Sequence, residues 1–302
     1  MRCLILLIVL LIPLGHATNA QSSELLGVGR LFTNDYLGDG RDRYRSGSYV
    51  RSYMRGPYDW DGTPQEFGVI REYRLRSSII ASDGIGRAPG DRPYVGALSL
   101  GVHSHFGEGT FRGSAGIDVT AVGPQTGVSR FQKWAHDQLS LEQVRFTQHQ
   151  LSDNFYLGLT AEGADNLRLS DKITARPFAE LLIGPEDLVR FGADVFVGSD
   201  IASDLLIRDT ATGHVYRGTE NTDFAGLAFV VGADWAVVAD SVYLPESRGV
   251  TAKDRRGRVR AGVHWQSRNA TSLFYGLTYL GPEFEGQPEG QLTGSLKLNF
   301  NF

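Results

Sequence analysis

The last twelve residues of the chain alternate polar and apolar without a break. Gln291, Thr293, Ser295, Lys297, Asn299 and Asn301 fall on one face, and Leu292, Gly294, Leu296, Leu298, Phe300 and Phe302 on the other. Successive side chains on a strand point to opposite sides, so the segment reads as a strand with one wet and one greasy face. A soluble β-sandwich can use such a strand, but one ending in phenylalanine fits a transmembrane β-barrel better, with the apolar face on lipid and the polar face on the lumen. Leu292, Leu296, Leu298 and Phe300 are then expected to face lipid. Arginine should disturb assembly at Leu296 and be tolerated at Ser295. Function is to be sought in the loops at one rim.

Eleven further strand-like segments precede it, near 24–34, 47–56, 67–82, 93–105, 109–121, 143–163, 172–183, 188–199, 224–240, 257–267 and 270–281. In the fifth, Phe111, Ala115, Ile117, Val119 and Ala121 oppose Arg112, Ser114, Asp118 and Thr120. In the tenth, Val259, Ala261, Val263 and Trp265 oppose Arg258, Arg260, His264 and Gln266. Arginines two apart on a strand are ruinous against lipid and ordinary in a lumen. Bacterial barrels have even strand counts and no free edge, so the expectation is an all-β, antiparallel barrel of about twelve strands with both termini periplasmic. Ten and fourteen are the neighbouring alternatives. Twelve has one awkward consequence: the short Gly184-Pro185-Glu186-Asp187 turn falls outside, and the long 200–223 connector falls on the periplasmic side.

The N-terminus sets the compartment. Arg2, an apolar run from Leu4 to Leu14 and the small Ala20 read as a secretory signal peptide over residues 1–20, leaving one barrel domain over 21–302. No other run is long enough for a transmembrane helix. The single cysteine, Cys3, lies in the leader, so the mature chain is expected to lack disulfides and thiol chemistry. Without Arg2 the chain carries 29 basic against 34 acidic residues. That acidic balance argues against a nucleic-acid partner.

With a periplasmic N-terminus, the loops after the first, third and fifth strands open outside. The first, Asn34 to Gly47, is rich in carboxylate and amide oxygens, the hard ligands calcium prefers, yet lacks the EF-hand spacing. A solvated Asp/Gly turn explains the same composition. The second holds Asp83, Arg87, Asp91 and Arg92. The third carries Gly123-Pro124 and then Gln132 and His136, whose i, i+4 spacing puts both on one face of a short helix. His103 and His264 fall on lumen faces, and His136 is the histidine in a long outer loop beside polar groups. Neither a Gly-x-Ser-x-Gly elbow nor a His-Glu-x-x-His helix occurs. An enzyme built this way would use a metal-assisted water with His136 as base.

The Asn34-Asp35 pair, the Asp42-x-Tyr44-x-Ser46-Gly47 segment, and Gly123-Pro124 followed by Gln132-x-x-x-His136 resemble the LpxR family of outer-membrane lipid A 3′-O-deacylases. The likeness covers essentially the whole mature chain. It implies a twelve-stranded barrel in the outer membrane, dependence on Ca²⁺, and hydrolysis of the 3′-linked acyloxyacyl ester of lipid A in lipopolysaccharide. Carried over, His136 is the catalytic histidine, Asn34 shares the active site, and Asp35 holds the metal. The family's hydroxyl at the start of strand two falls on Arg45 by strict alignment and on Ser46 as the nearest hydroxyl. Gln132, Arg45 and a basic residue of the second loop, Arg87, would contact substrate, and Arg41 and Arg43 could join them on lipid A phosphates. Salt bridges to Asp39, Asp42 and Asp91 are the competing fate of these arginines. A monomer among outer-membrane lipids is expected. The competing readings are a non-enzymatic barrel (a small channel or structural protein), a phospholipase-type barrel with a serine nucleophile, and a soluble sandwich.

Overall fold

A computed structural model of the chain describes residues 23–83, 91–141, 144, 147–219, 225–268 and 271–299. The expected leader, Arg87 and Phe300 to Phe302 lie outside the described residues.

The chain runs through β1 (Ser23–Asn34), β2 (Tyr44–Pro57), β3 (Ile70–Ala81), β4 (Val95–Glu108), β5 (Phe111–Val122), helix α1 (Val128–Leu139), β6 (Asn154–Asp165), the short β7 (Leu167–Ser170), β8 (Ile173–Ile183) and β9 (Glu186–Gly198). A small hairpin of β10 (Leu206–Arg208) and β11 (Val215–Arg217) follows, then β12 (Gly226–Ser241), β13 (Arg255–Gln266), β14 (Ser272–Leu280) and β15 (Gln291–Asn299). Consecutive long strands pair antiparallel, β6 pairs with β8, and β15 pairs with β1 (Phe32 opposite Leu296), so the sheet closes on itself as a twelve-stranded barrel. Closure leaves no strand edge to be satisfied by lipid. Both ends of the described chain emerge at the same, periplasmic end.

Period-two patterning decides which way each strand faces. On β13, Arg258, Arg260, His264 and Gln266 are buried, while Val259 and Trp265 are exposed. On β15, Gln291, Thr293, Ser295 and Lys297 are buried, and Leu292, Leu296 and Leu298 look outward. Leu100, Val102, Ile117, Val119, Phe155, Leu157, Phe229 and Val231 are exposed on the wall, as a lipid-facing belt requires. No described helix is long and apolar enough to cross a membrane. The strand expected at 143–163 begins only at Asn154, with a 3₁₀ turn at Thr147–His149 before it.

The long connector after β9 resolves its own puzzle. It leaves the periplasmic end and folds back into the lumen, where its β10–β11 hairpin forms a plug. Ile201, Leu206, Ile207, Val215 and Tyr216 pack with Leu31, Val50, Met54, Ile70 and Phe196 from the wall in one apolar cluster. The lumen arginines seen in the sequence hold the hairpin tip. Arg258 Nη1 donates to the carbonyls of Thr210 (2.7 Å) and Ala211 (3.0 Å). Arg208 of the plug reaches Asp194 at 2.9 Å and lies over the Phe178 ring at 3.4 Å. Arg260 bridges Asp194 and Asp234. Buried charges persist only when paired in this way.

A packed lumen also corrects the expectation for Ser295. Its side chain is 0% exposed and shares a 2.9 Å hydrogen bond with the Thr33 hydroxyl. Arginine at that position would meet packed protein rather than water.

Candidate active site

Helix α1 lies against the outward face of the barrel wall, not over its mouth. Gly123 (φ 100°) and Gly127 (φ 71°) make the turns around Pro124-Gln125-Thr126 that swing the chain from the end of β5 back across β4. On β4 the lumen residues are Val95, Ala97 and His103, and the outward ones include Leu100 and Val102, so Gly96 faces outward. A Cβ on Gly96 would stand 3.0 Å from Val128 Cβ and 3.1 Å from Thr126 Oγ1, so glycine is what admits the helix this close. Ala81, outward-facing at the end of β3, is 1% exposed and clusters with Ile79, Tyr94 and Val144 instead of meeting lipid.

The buried residues of α1 are Val128, Ser129, Gln132 and His136, and they form its wall-facing side. Here the first outer loop meets the third. Asp42 is the hub. Its Oδ2 lies 3.0 Å from His136 Nε2, and its Oδ1 accepts from Ser46 Oγ and, at 3.4 Å, from Gln132 Nε2. Tyr94 Oη donates to Gln132 Oε1 at 2.9 Å, which fixes the amide's orientation. A carboxylate on an imidazole nitrogen holds the ring's tautomer and stabilises the charge it gains on taking a proton. Ser46 at the start of β2 and the α1 pair Gln132 and His136, some ninety residues on, therefore share one carboxylate.

Asn34 and Asp35 sit at the end of β1. Asn34 caps the short 3₁₀ turn Asp35–Leu37 by accepting from the Tyr36 amide at 2.8 Å, and its side chain lies beside Gly47 at the start of β2. Asp35 is 0% exposed. Its Oδ2 accepts from the Arg43 amide (2.7 Å) and from Gln291 Nε2 (3.3 Å), while Oδ1 is buried with no hydrogen-bond partner. Burial pushes this carboxyl up to about 9, against the pull of the Arg43 amide, and the charges of Asp42 and Asp39 add to the push. A buried acceptor without a donor, costly to ionise and close to two more carboxylates, suits a cation. No three His, Cys, Asp or Glu side chains among the described residues stand close enough together to hold one, so other oxygens would have to complete its shell.

The arginines lie elsewhere. Arg45 points into the lumen, where it binds Glu283 (2.7 Å) and Glu186 (2.8 Å). Burial opposes ionisation of Glu283, but Arg45 and Arg92 outweigh it and hold the group down to about 2. Arg41 and Arg43 both reach Glu289, and Arg43 also binds Asp39 at 3.1 Å. Structure thus gathers Ser46, Gln132 and His136 around Asp42 on the outer wall, with Asn34 at the adjoining end of β1. Asp35, next in the chain, turns toward Gln291 of the last strand, and Arg45 lies in the lumen. Tyr94 and Gln291 join this region with no role assigned to them from sequence, and Asp42, read there as part of the family-like segment and as a salt-bridge partner for the arginines, is instead the partner of His136. Asp42 was visible as a loop carboxylate four residues before Ser46, whereas nothing singled out Gln291, the first residue of the last strand.

A family model described as outer membrane protein LpxR matches residues 83–302. The chain belongs to the LpxR family. Localisation in the outer membrane follows, in agreement with the closed barrel. The matched stretch contains Gln132 and His136, while Asn34, Asp35, Asp42 and Ser46 precede it. Among solved structures, LpxR from Salmonella typhimurium superposes with a TM-score of 0.73 at 17% identity, over 93% of this chain and 100% of that one. At that identity the likeness establishes the fold. The β domain of the Bordetella autotransporter BrkA, at 11% identity and a TM-score of 0.46 over 91% of this chain and 99% of that one, is too distant to bear on the site. No curated protein matches the chain.

Proposed function

We propose that this LpxR-family barrel is a lipid A deacylase that hydrolyses the 3′-linked acyloxyacyl ester of lipopolysaccharide at the outer rim. One observation carries the reading: the His136–Asp42 pair, with Ser46 and Gln132, lies on the membrane side of the wall under α1, beside the buried Asp35. A lipid in the outer leaflet reaches such a site sideways. Extracting even one acyl chain into water would cost about 0.8 kcal/mol per CH₂, which a wall-side site avoids.

His136 acts as general base on a water, the Asp42 carboxylate stabilising the imidazolium that forms. The water oxygen bonds to the ester carbonyl carbon, the acyl–oxygen bond then breaks, and the proton held by His136 goes to the departing sugar oxygen. A free carboxylic acid and a 3′-hydroxyl are the products. Asp35 Oδ1, with Asn34 nearby, would hold a Ca²⁺ ion whose positive charge favours an oxyanion at the ester carbonyl. Ser46 keeps Asp42 in place, and Gln132, fixed by Tyr94, lines the site toward substrate. Arg87 of the second outer loop stays a proposed phosphate contact. Arg45, tied to two glutamates in the lumen, is better suited to bracing the start of β2.

The filled lumen speaks against a small channel, because the plug and its arginines occupy the path a solute would take. The direct test is mass spectrometry of lipid A from cells expressing the wild type or His136→Ala. Loss of the 3′ acyloxyacyl group only with the wild type supports the assignment. Unchanged lipid A in both, with the barrel folded and inserted, refutes it.

A further inference from the structure

We infer that the outer side of α1 is a membrane anchor, seated among the lipids of the outer leaflet. The helix is two-faced. Val128, Ser129, Gln132 and His136 are buried against the wall, whereas Phe131 and Trp134 are 61% and 57% exposed. At 100° per residue, these two rings point about 140–160° away from His136. They pack on each other with centroids 5.7 Å apart, so they form one apolar knob rather than two stray side chains.

Position says what covers the knob. Because α1 lies on the outward face of β3 and β4 near their outer ends, its far side points away from the barrel axis, not up over the mouth. On the strands below and beside it, the wall shows Leu100, Ile117, Val119, Phe155 and Leu157, each half or more exposed. The knob therefore extends the lipid-facing belt at its upper margin. Trp and its aromatic neighbours concentrate at that depth because an apolar body with a polar edge fits the boundary between headgroups and acyl chains. The exposed Arg130 and Lys133 flank the rings, with stems long enough to carry their charges to lipid phosphates. A contiguous apolar patch rimmed by cations suits an anionic lipid surface.

One consequence is mechanical. The anchor and His136 share one twelve-residue helix, so the lipid that seats Phe131 and Trp134 also sets the depth of the imidazole. The inference concerns lipid contact and stands apart from the chemistry proposed above.

The test needs no activity. The barrel is refolded into phosphatidylcholine vesicles with or without bromine on the acyl chains, and emission is compared for wild type and Trp134→Phe, the difference being the Trp134 signal. Brominated lipid should remove most of that signal and aqueous iodide little of it. Strong quenching by iodide with none by lipid would place the helix face in water. Resistance to both would mean that protein, such as a second copy, covers it. Either result overturns the inference. Should Trp134→Phe fail to show heat-modifiable migration, Phe131→Cys in a Cys3→Ser background, carrying an environment-sensitive fluorophore, provides the same readout with both quenchers.

Discussion

Asp35 makes the proposed calcium site accountable to pH. With its carboxyl held at about 9, the group is protonated at neutral pH when no ion is bound, and only about 1 in 100 copies is ionised at pH 7. An ion that binds the carboxylate must displace that proton. Apparent affinity should then rise about tenfold per pH unit up to about 9, or roughly 100-fold between pH 6 and pH 8, equivalent to about 2.7 kcal/mol. The stability sign follows from the same shift. Folded Asp35 keeps a proton that the unfolded chain gives up above 3.8, so without an ion its contribution to stability falls as pH rises from 3.8 to about 9. Titration calorimetry of the detergent-solubilised barrel in two buffers of different ionisation enthalpy counts the protons. The wild type should release about one proton per Ca²⁺ bound at pH 7, and Asp35→Asn should bind weakly with no release. A Ca²⁺ affinity that is flat from pH 6 to pH 8, without proton release, would mean that Asp35 is not the ligand. Heat-modifiable migration on a gel verifies that both proteins are folded.

Other perturbations separate the two sides of the wall. His136→Ala and Asp42→Asn should each lower lipid A deacylation by about 10²–10⁴-fold while insertion is unchanged, with His264→Ala, buried against Phe274 in the lumen, keeping most activity; equal turnover by all three, followed by mass spectrometry, would remove His136 from the mechanism. Val231→Arg, 58% exposed in the middle of β12, should cost roughly 2–4 kcal/mol in a urea refolding assay, and a cost near zero would mean that this face does not meet lipid. Arg260→Ala leaves Asp194 and Asp234 short of a buried partner and should destabilise by about 3–5 kcal/mol in the same assay, an outcome that a merely wetted lumen arginine would not give.

Strand order and facing were legible because they depend on a local rule. One residue's polarity predicts the face of its neighbour, and a one-residue slip would turn Arg258 and Arg260 into lipid. The start of β6 was placed too early because Val144 and Leu151, apolar residues that pack against the ends of β3 and β4 outside any strand, look like the apolar face of one. Lumen filling was not legible either. Arg258 and Arg260 announce a polar interior, but a polar interior can be water or a plug. Only the fold shows that the carbonyls of Thr210 and Ala211 stand in front of Arg258. In the site, His136 and Gln132 were visible as a helical pair. The residue that joins them to Ser46 was one aspartate among several, because hydrogen bonds across ninety residues of sequence leave no local pattern.

That the proposed chemistry sits outside the barrel is consistent with how each face is used. Inside, Asp194, Asp234, Glu186 and Glu283 are all claimed by arginines, so the lumen carboxylates are spent on holding the plug and the loop bases. Outside, a bare wall must be apolar, and a carboxylate facing lipid would be expelled or protonated. Helix α1 creates the exception. By covering Ala81 and Gly96 it makes a strip of outer wall that is neither lumen nor lipid, and there Asp42 can keep His136, Gln132 and Ser46 as partners. At the end of β1 near that strip, Asp35 keeps a buried Oδ1 without a partner. A substrate for the proposed site would then come from the side, out of the leaflet in which a lipid ester lies, and not through the packed lumen.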